Sequence, residues 1–387
     1  MNPPPEPRRD FFKKTVATSL GLVGANSLSQ AQTSPTSSKP AAAEPQPIWK
    51  NRHPDMHYRM LGRTGMMISE IAFGTFPYET PDIFPHFDSA IEKGINYFDC
   101  AFAYGQGRVE TNLGNYFKQS GNREKVFLTT KLSAYNRAGA LRKIFEGLPQ
   151  AKQKQLRKKA DDLIEERMVL RPGYHFSYFG GQSAQISKHY LASIVFEEYG
   201  LDEKTRENIK RSARKNLAAS LERLQTDYVD VLFLPHGAAA PDLEDEIIAE
   251  LFAEFKGKGL IKASATSFHN DVAGNLTDAY QLGYYDAAMF AYNIANHAAV
   301  DPIMLDAKNS GMGLLAMKTA KLFFLPDQPA WILEKLNATY PGDQLSPFAK
   351  SYHWALQNPN LTACVSQMED EAQLLDNLQA VGKAATS

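Results

Sequence analysis

Cysteine is nearly absent: only Cys100 and Cys364 occur in 387 residues. Neither a CxxC pair nor a Cys/His ladder is present, which argues against structural zinc and Cys-ligated iron–sulfur clusters. No run of about 18 apolar residues exists, so no ordinary transmembrane helix is expected. The P-loop pattern is missing, and so is GxGxxG: the nearest approach, Gly105-Gln106-Gly107, has Glu110 where the third glycine belongs. There is no excess of either charge. Lys plus Arg is 42 and Asp plus Glu is 43, a net charge of -1, which argues against nucleic-acid binding. What is present is ordinary globular composition, 43% hydrophobic and 22% charged, in a chain long enough to bury a large core.

The first residues have a different character. Arg8-Arg9-Asp10-Phe11-Phe12-Lys13 resembles the twin-arginine export motif. A mildly apolar stretch follows from Thr15 to Leu28, and Ser29-Gln30-Ala31 offers small residues of the kind a signal peptidase reads. Residues 1–31 are therefore expected to be an export leader, and the twin-arginine machinery a partner; a basic tail is the other reading. Residues 32–52, rich in Ser, Pro, Ala, Thr and Gln, are expected to form a disordered linker. Export to the periplasm or beyond follows from this reading.

From Tyr58 the pattern becomes regular. A period-2 stretch with a turn at Gly62-Arg63-Thr64-Gly65 predicts a hairpin over Tyr58 to Ser69. Eight strands are predicted after it: Ile71–Thr75, Tyr97–Ala101, Val126–Lys131, Tyr228–Pro235, Ile261–Ser267, Ala287–Asn293, Gly313–Lys318 and Thr362–Gln367. Amphipathic helical stretches lie between them, among them Ile83–Lys93, Glu110–Gln119, Thr205–Leu224, Leu243–Lys258, Pro347–Gln357 and Glu371–Val381. Eight such strands argue for a parallel (β/α)8 barrel over residues 53–387, although periodicity alone also allows an open doubly wound sheet. One connection is far too long for a barrel loop. Residues 136–204 read as an insertion after the third barrel strand, with a charged helix near Gln150–Met168. Its place in the chain puts it on the C-terminal face, as a lid or substrate wall, with Tyr174, His175 and Phe176 as substrate contacts; a peripheral subdomain or an oligomer contact are the other readings.

Four polar residues fall at or just beyond consecutive strand ends: Asp99, Tyr104, Lys131 and His236. Strand ends of one barrel share a single mouth, so these four can meet. Here the chain resembles the aldo-keto reductases. The stretches YRMLGRTGMMISEIAFGTF from Tyr58, YFDCAFAYG from Tyr97, the Lys of Leu128–Leu132 and DYVDVLFLPH from Asp227 occur in that family's order. The resemblance covers about residues 58–380 outside the insertion. It implies a (β/α)8 barrel, a bound NAD(P)(H) and reversible carbonyl–alcohol interconversion on a small-molecule substrate, sugar-like or a small aldehyde or ketone. Tyr104 would be the acid/base, and Lys131 and Asp99 would tune it. His236 would orient the substrate oxygen or relay a proton. A free tyrosine has a pKa near 10, so a neighbouring ammonium is expected to favour the phenolate.

For the cofactor, the resemblance implies Ser267 near the nicotinamide carboxamide, Tyr292 stacked on its ring, Lys318 and Lys321 on the pyrophosphate, and Asn377 near the adenine. Two family amides are missing, with Phe268 and Met289 in their places. Glu369-Asp370-Glu371 after the last strand would repel a 2′-phosphate, which favours NAD over NADP; the same run suits a helix N-terminus. No metal is expected. Outside the cytoplasm no soluble nicotinamide pool is expected, so a tightly held cofactor, loaded before export, follows. A cofactor-bound sensor with little turnover is the alternative.

Overall fold

The computed structural model describes residues 45–132, 137–171, 175–237, 243, 245–324, 330–341 and 344–382. The expected leader, residues 1–31, and Tyr174 lie outside these. Residues 45–52, expected to belong to the linker, are part of the fold. They include a short strand, β1 (Ile48–Trp49), which runs parallel to the hairpin that follows. That hairpin is formed by β2 (Tyr58–Met60) and β3 (Met66–Ser69), with Tyr58 opposite Ser69. Its turn needs glycine at Gly62, where φ is +51° and a Cβ would overlap the backbone of Gly311 and Gly313.

Eight further strands are β4 (Ile71–Gly74), β5 (Tyr97–Asp99), β6 (Phe127–Lys131), β7 (Val229–His236), β8 (Ile261–Phe268), β9 (Ala287–Ala291), β10 (Gly313–Met317) and β11 (Ala363–Ser366). All pair in parallel and in sequence order, and Cys364 of β11 pairs with Ile71 of β4. The sheet is thus a closed barrel, and the open arrangement does not occur. Alternation along each strand divides the apolar residues. Ala72, Tyr97, Phe127, Phe233, Met289 and Leu315 are among those that fill the interior. Phe73, Phe98, Leu232, Phe268 and Phe290 are among those that face the helical layer.

Leu61, Met66 and Ile68 of the hairpin region plug the N-terminal end of the barrel. Buried ion pairs tie the plug and the first residues to the strands. Asp230 accepts from Lys50 at 3.2 Å, from Arg123 at 3.0 Å and from the Leu128 amide at 2.8 Å.

The insertion is a small helical unit with its own core. Its helices are α3 (Arg137–Glu146), α4 (Gln150–Glu166) and α5 (Gln182–Tyr199), numbered after α1 (Phe84–Glu92) and α2 (Arg108–Ser120). Leu141, Phe145, Leu156, Ile164, Ile186 and Tyr190 pack against one another within it. It docks on the C-terminal face, chiefly on the loop after β8. Arg167 donates to Asp271 at 2.6 Å and Asp278 at 2.9 Å, Tyr190 Oη to Asp271 at 2.5 Å, and Gln182 Nε2 to Asn270 at 2.7 Å. Tyr178, just before α5, accepts bonds from Asn293 at 2.9 Å and Asn296 at 3.2 Å beyond β9.

Candidate active site at the barrel mouth

Asp99 and Lys131 are the last residues of neighbouring strands, so their side chains emerge at the same height. Lys131 is 1% exposed, and its Nζ donates to Asp99 Oδ1 at 2.5 Å, to the Cys100 carbonyl at 3.0 Å and to Tyr104 Oη at 3.3 Å. Three acceptors thus satisfy three N–H groups. Tyr104 reaches this cluster from the turn after β5, and its hydroxyl is 3.3 Å from Asp99 Oδ2. Thr129, two residues before Lys131 on the same inward side, donates to Asp99 Oδ1 at 3.1 Å. Thr129 was not singled out from sequence, but strand alternation could have found it.

The electrostatics differ from the expectation. Burial, followed by the Asp99 charge, holds the Tyr104 phenol well above its ordinary value. The Lys131 charge is spent on Asp99, so in this state Tyr104 keeps its proton and is an acid. Lys131 remains within reach of the phenol oxygen once that proton leaves.

His236 ends β7 opposite Ser267 of β8, and its Nδ1 lies 2.8 Å from Ser267 Oγ. The Gly237 amide also donates to that oxygen, at 3.4 Å. Burial, then the charges of Lys131, His269 and Lys318, hold His236 well below the ordinary histidine value, so it is neutral. In the tautomer in which Ser267 donates to Nδ1, Nε2 carries the proton and is a donor. Ser267, expected on the carboxamide, is fully buried and engaged with His236.

The other expected cofactor residues divide. Tyr292 is turned out of the barrel. Its ring stacks on Trp354 at 5.2 Å, and its hydroxyl donates to Asp301 at 2.7 Å and accepts from Asn358 at 3.1 Å. Alternation gives the reason: Tyr292 lies in phase with the outward-facing Phe290. A stack on nicotinamide is not open to it in this arrangement. Asn377 is likewise buried, its amide donating to Ser366 Oγ at 2.9 Å.

Lys318 follows β10 directly with φ of +63°, and burial followed by Lys321 and Lys131 lowers its pKa. Its ammonium has no carboxylate or hydrogen-bond partner among the described residues, and Lys321 follows in the next turn. In the acidic run, Asp370 caps the last helix by accepting from the Gln373 amide at 2.8 Å, and Glu371 accepts from Ser89 at 2.5 Å. Part of that charge is therefore already used.

Of the expected substrate residues, His175 contacts Ser177 at 3.2 Å and Ser183 at 3.4 Å within the insertion. Phe176 packs on Tyr178 at 5.3 Å. Two rings not foreseen stand at the mouth instead. Phe76, 49% exposed, meets Tyr104 edge-on at 5.3 Å, and Phe179, 41% exposed, meets His269 edge-on at 5.7 Å.

These residues fit a nicotinamide dinucleotide at its reactive and phosphate ends. A phenol held by Asp99 and Lys131 stands at the same mouth as a neutral imidazole, and the unopposed Lys318 ammonium suits a phosphate.

Comparison with known proteins bears on the family and the fold. Residues 70–164 and 188–386 match the family described as the aldo/keto reductase family. "Uncharacterized oxidoreductase YrpG" of Bacillus subtilis (strain 168) is 41% identical over 86 residues, which is 20% of this chain and 26% of that relative. The match therefore spans about a quarter of that relative's length. Aldo-keto reductase AKR11C1 from Bacillus halodurans, in its holo form, superposes with a TM-score of 0.58 at 20% identity. That likeness covers 86% of this chain and 93% of the other, and shows the common fold. With a closed eight-stranded barrel and a family match over more than half its length, the chain belongs to the aldo/keto reductase family, a family of NAD(P)-dependent oxidoreductases.

Proposed function

We propose that the protein interconverts a carbonyl and an alcohol, with Tyr104 as the acid/base and a sugar-like compound or a small aldehyde or ketone as substrate. The observation that carries this reading is the convergence of Tyr104 Oη, Lys131 Nζ and the Asp99 carboxylate. When bound, NAD(P)(H) supplies or accepts the hydride. The protein's own groups handle the oxygen. In reduction, Tyr104 gives its proton to the oxygen that gains negative charge. Lys131 stabilises the phenolate left behind, Asp99 holds Lys131 in place, and His236 Nε2–H orients the substrate oxygen. Lys318 and Lys321 hold phosphate oxygens, and Ser267 serves through its bond to His236. NAD is favoured over NADP by the acidic residues after β11.

Tyr104→Phe should lower turnover by roughly 10²–10⁴-fold while leaving cofactor affinity intact. Undiminished turnover in that variant would refute the assignment.

We further propose export through the twin-arginine route with the cofactor already bound and recycled in place by a second substrate. Protein purified from the exported fraction should carry stoichiometric nicotinamide absorbance. Cofactor-free protein with weak affinity would overturn that part of the reading.

A further inference from the structure

His269 has no counterpart among the residues discussed for catalysis. It lies one residue past β8, where Ala263 and Ala265 face the barrel interior and Ser267 meets His236. His269 follows in the bend after the strand, where Lys318, Lys131 and His236 lie close enough for their charges and its own to interact. The next two residues are fixed from outside: Asn270 is bonded by Gln182, and Asp271 by Arg167 and Tyr190. His269 itself has no hydrogen-bond partner among the described residues. Its ring meets that of Phe179 edge-on at 5.7 Å, and Phe179, supplied by the same insertion, is 41% exposed. The insertion therefore builds a short wall at the mouth, consisting of one clamped imidazole beside one exposed aromatic ring.

The chemistry of this wall limits what it can recognise. Burial, then Lys318 and Lys131, push His269 down to about 3, so its imidazole is neutral. A neutral imidazole offers one donor and one acceptor, which suits hydroxyl groups. The phenyl ring beside it offers an apolar surface for C–H groups.

We infer that His269 and Phe179 form a specificity wall that recognises the hydroxylated carbon chain of a polyhydroxy carbonyl substrate and its alcohol product. This rests on the carbonyl–alcohol reading of the site and names its substrate class. His269 hydrogen-bonds a hydroxyl on a carbon near the reacting carbonyl, and Phe179 covers the adjoining C–H groups.

The test compares matched compounds with and without hydroxyls. Turnover is measured as kcat/KM for glyceraldehyde against propanal. Binding is measured by calorimetry for xylitol against 1-pentanol, which needs no turnover. The wild-type protein should favour the hydroxylated member of each pair. His269→Ala should reduce that preference about tenfold, the scale of one neutral hydrogen bond. His269→Gln, which keeps a donor and an acceptor, should restore part of it, and Phe179→Ala should weaken xylitol binding. The inference is overturned by a wild-type protein without preference, by a preference that His269→Ala leaves unchanged, or by an equal loss of nicotinamide-cofactor affinity in that variant. If neither aldehyde is turned over but xylitol binding still depends on His269, the wall stands and the catalytic reading fails.

Discussion

In the proposed reaction, Tyr104 and Lys131 divide between them a task neither could do alone. The phenol is buried beside a carboxylate and holds its proton, while the ammonium is placed to receive the charge left when the proton goes. The reductive rate should therefore be flat across neutral pH. The oxidative rate needs the phenolate, and should keep rising with pH through 9 without a plateau, because the phenol titrates above its ordinary value of about 10. An oxidative plateau near pH 7 in initial-rate measurements would contradict this. Lys131→Met should destabilise the fold by about 3–5 kcal/mol in urea unfolding, because the almost wholly buried Asp99 loses its counter-ion. Asp99, Tyr104, Lys131 and His236 were legible in the sequence because each lies at or just beyond a recognisable strand end. Tyr292, expected on the nicotinamide, instead packs outside the barrel on Trp354, because residue type does not tell which way a side chain points. His269 escaped notice because it lies in the bend beyond β8, and only its contact with Phe179 of the distant insertion and its nearness to Lys318 and Lys131 single it out.

The insertion was visible as an element because its length and charge exceed what a barrel connection needs. Its docking was not, since its partners Asp271, Asp278, Asn293 and Asn296 lie about a hundred residues downstream and match it only in space. Arg167 holds two carboxylates, one of them almost wholly buried, and removing it leaves both without that cation. Arg167→Ala should raise amide hydrogen exchange over residues 268–272 selectively, with the hairpin at the other end of the barrel unaffected. Uniform protection across the two regions would show that the insertion does not hold this loop. The hairpin has its own weak point: Gly62→Ala would press a methyl group into the backbone of β10 at a positive φ. A cost of about 1–3 kcal/mol is expected in thermal or urea unfolding.

Across the whole molecule, charge and burial set a pH response. His236 and His269 are held neutral in the fold but take up protons near pH 6.5 in the unfolded chain. The unfolded state then binds more protons as pH falls below about 6.5, so stability drops over that range, for His269 until about 3. The melting temperature should fall between pH 6.5 and 4.5, and less steeply in His269→Gln; identical slopes would count against it. The two ends of the barrel also do separate work. The proposed catalytic side chains emerge at the C-terminal mouth, whereas β1 pairs with β3, and Lys50 is fastened under the N-terminal end, against Val126 and Asp230. Ile48 to Lys50 are thus fastened at the pole opposite the barrel mouth. Attaching the molecule to a surface through this strand would hold it by its base and leave the mouth open to solution.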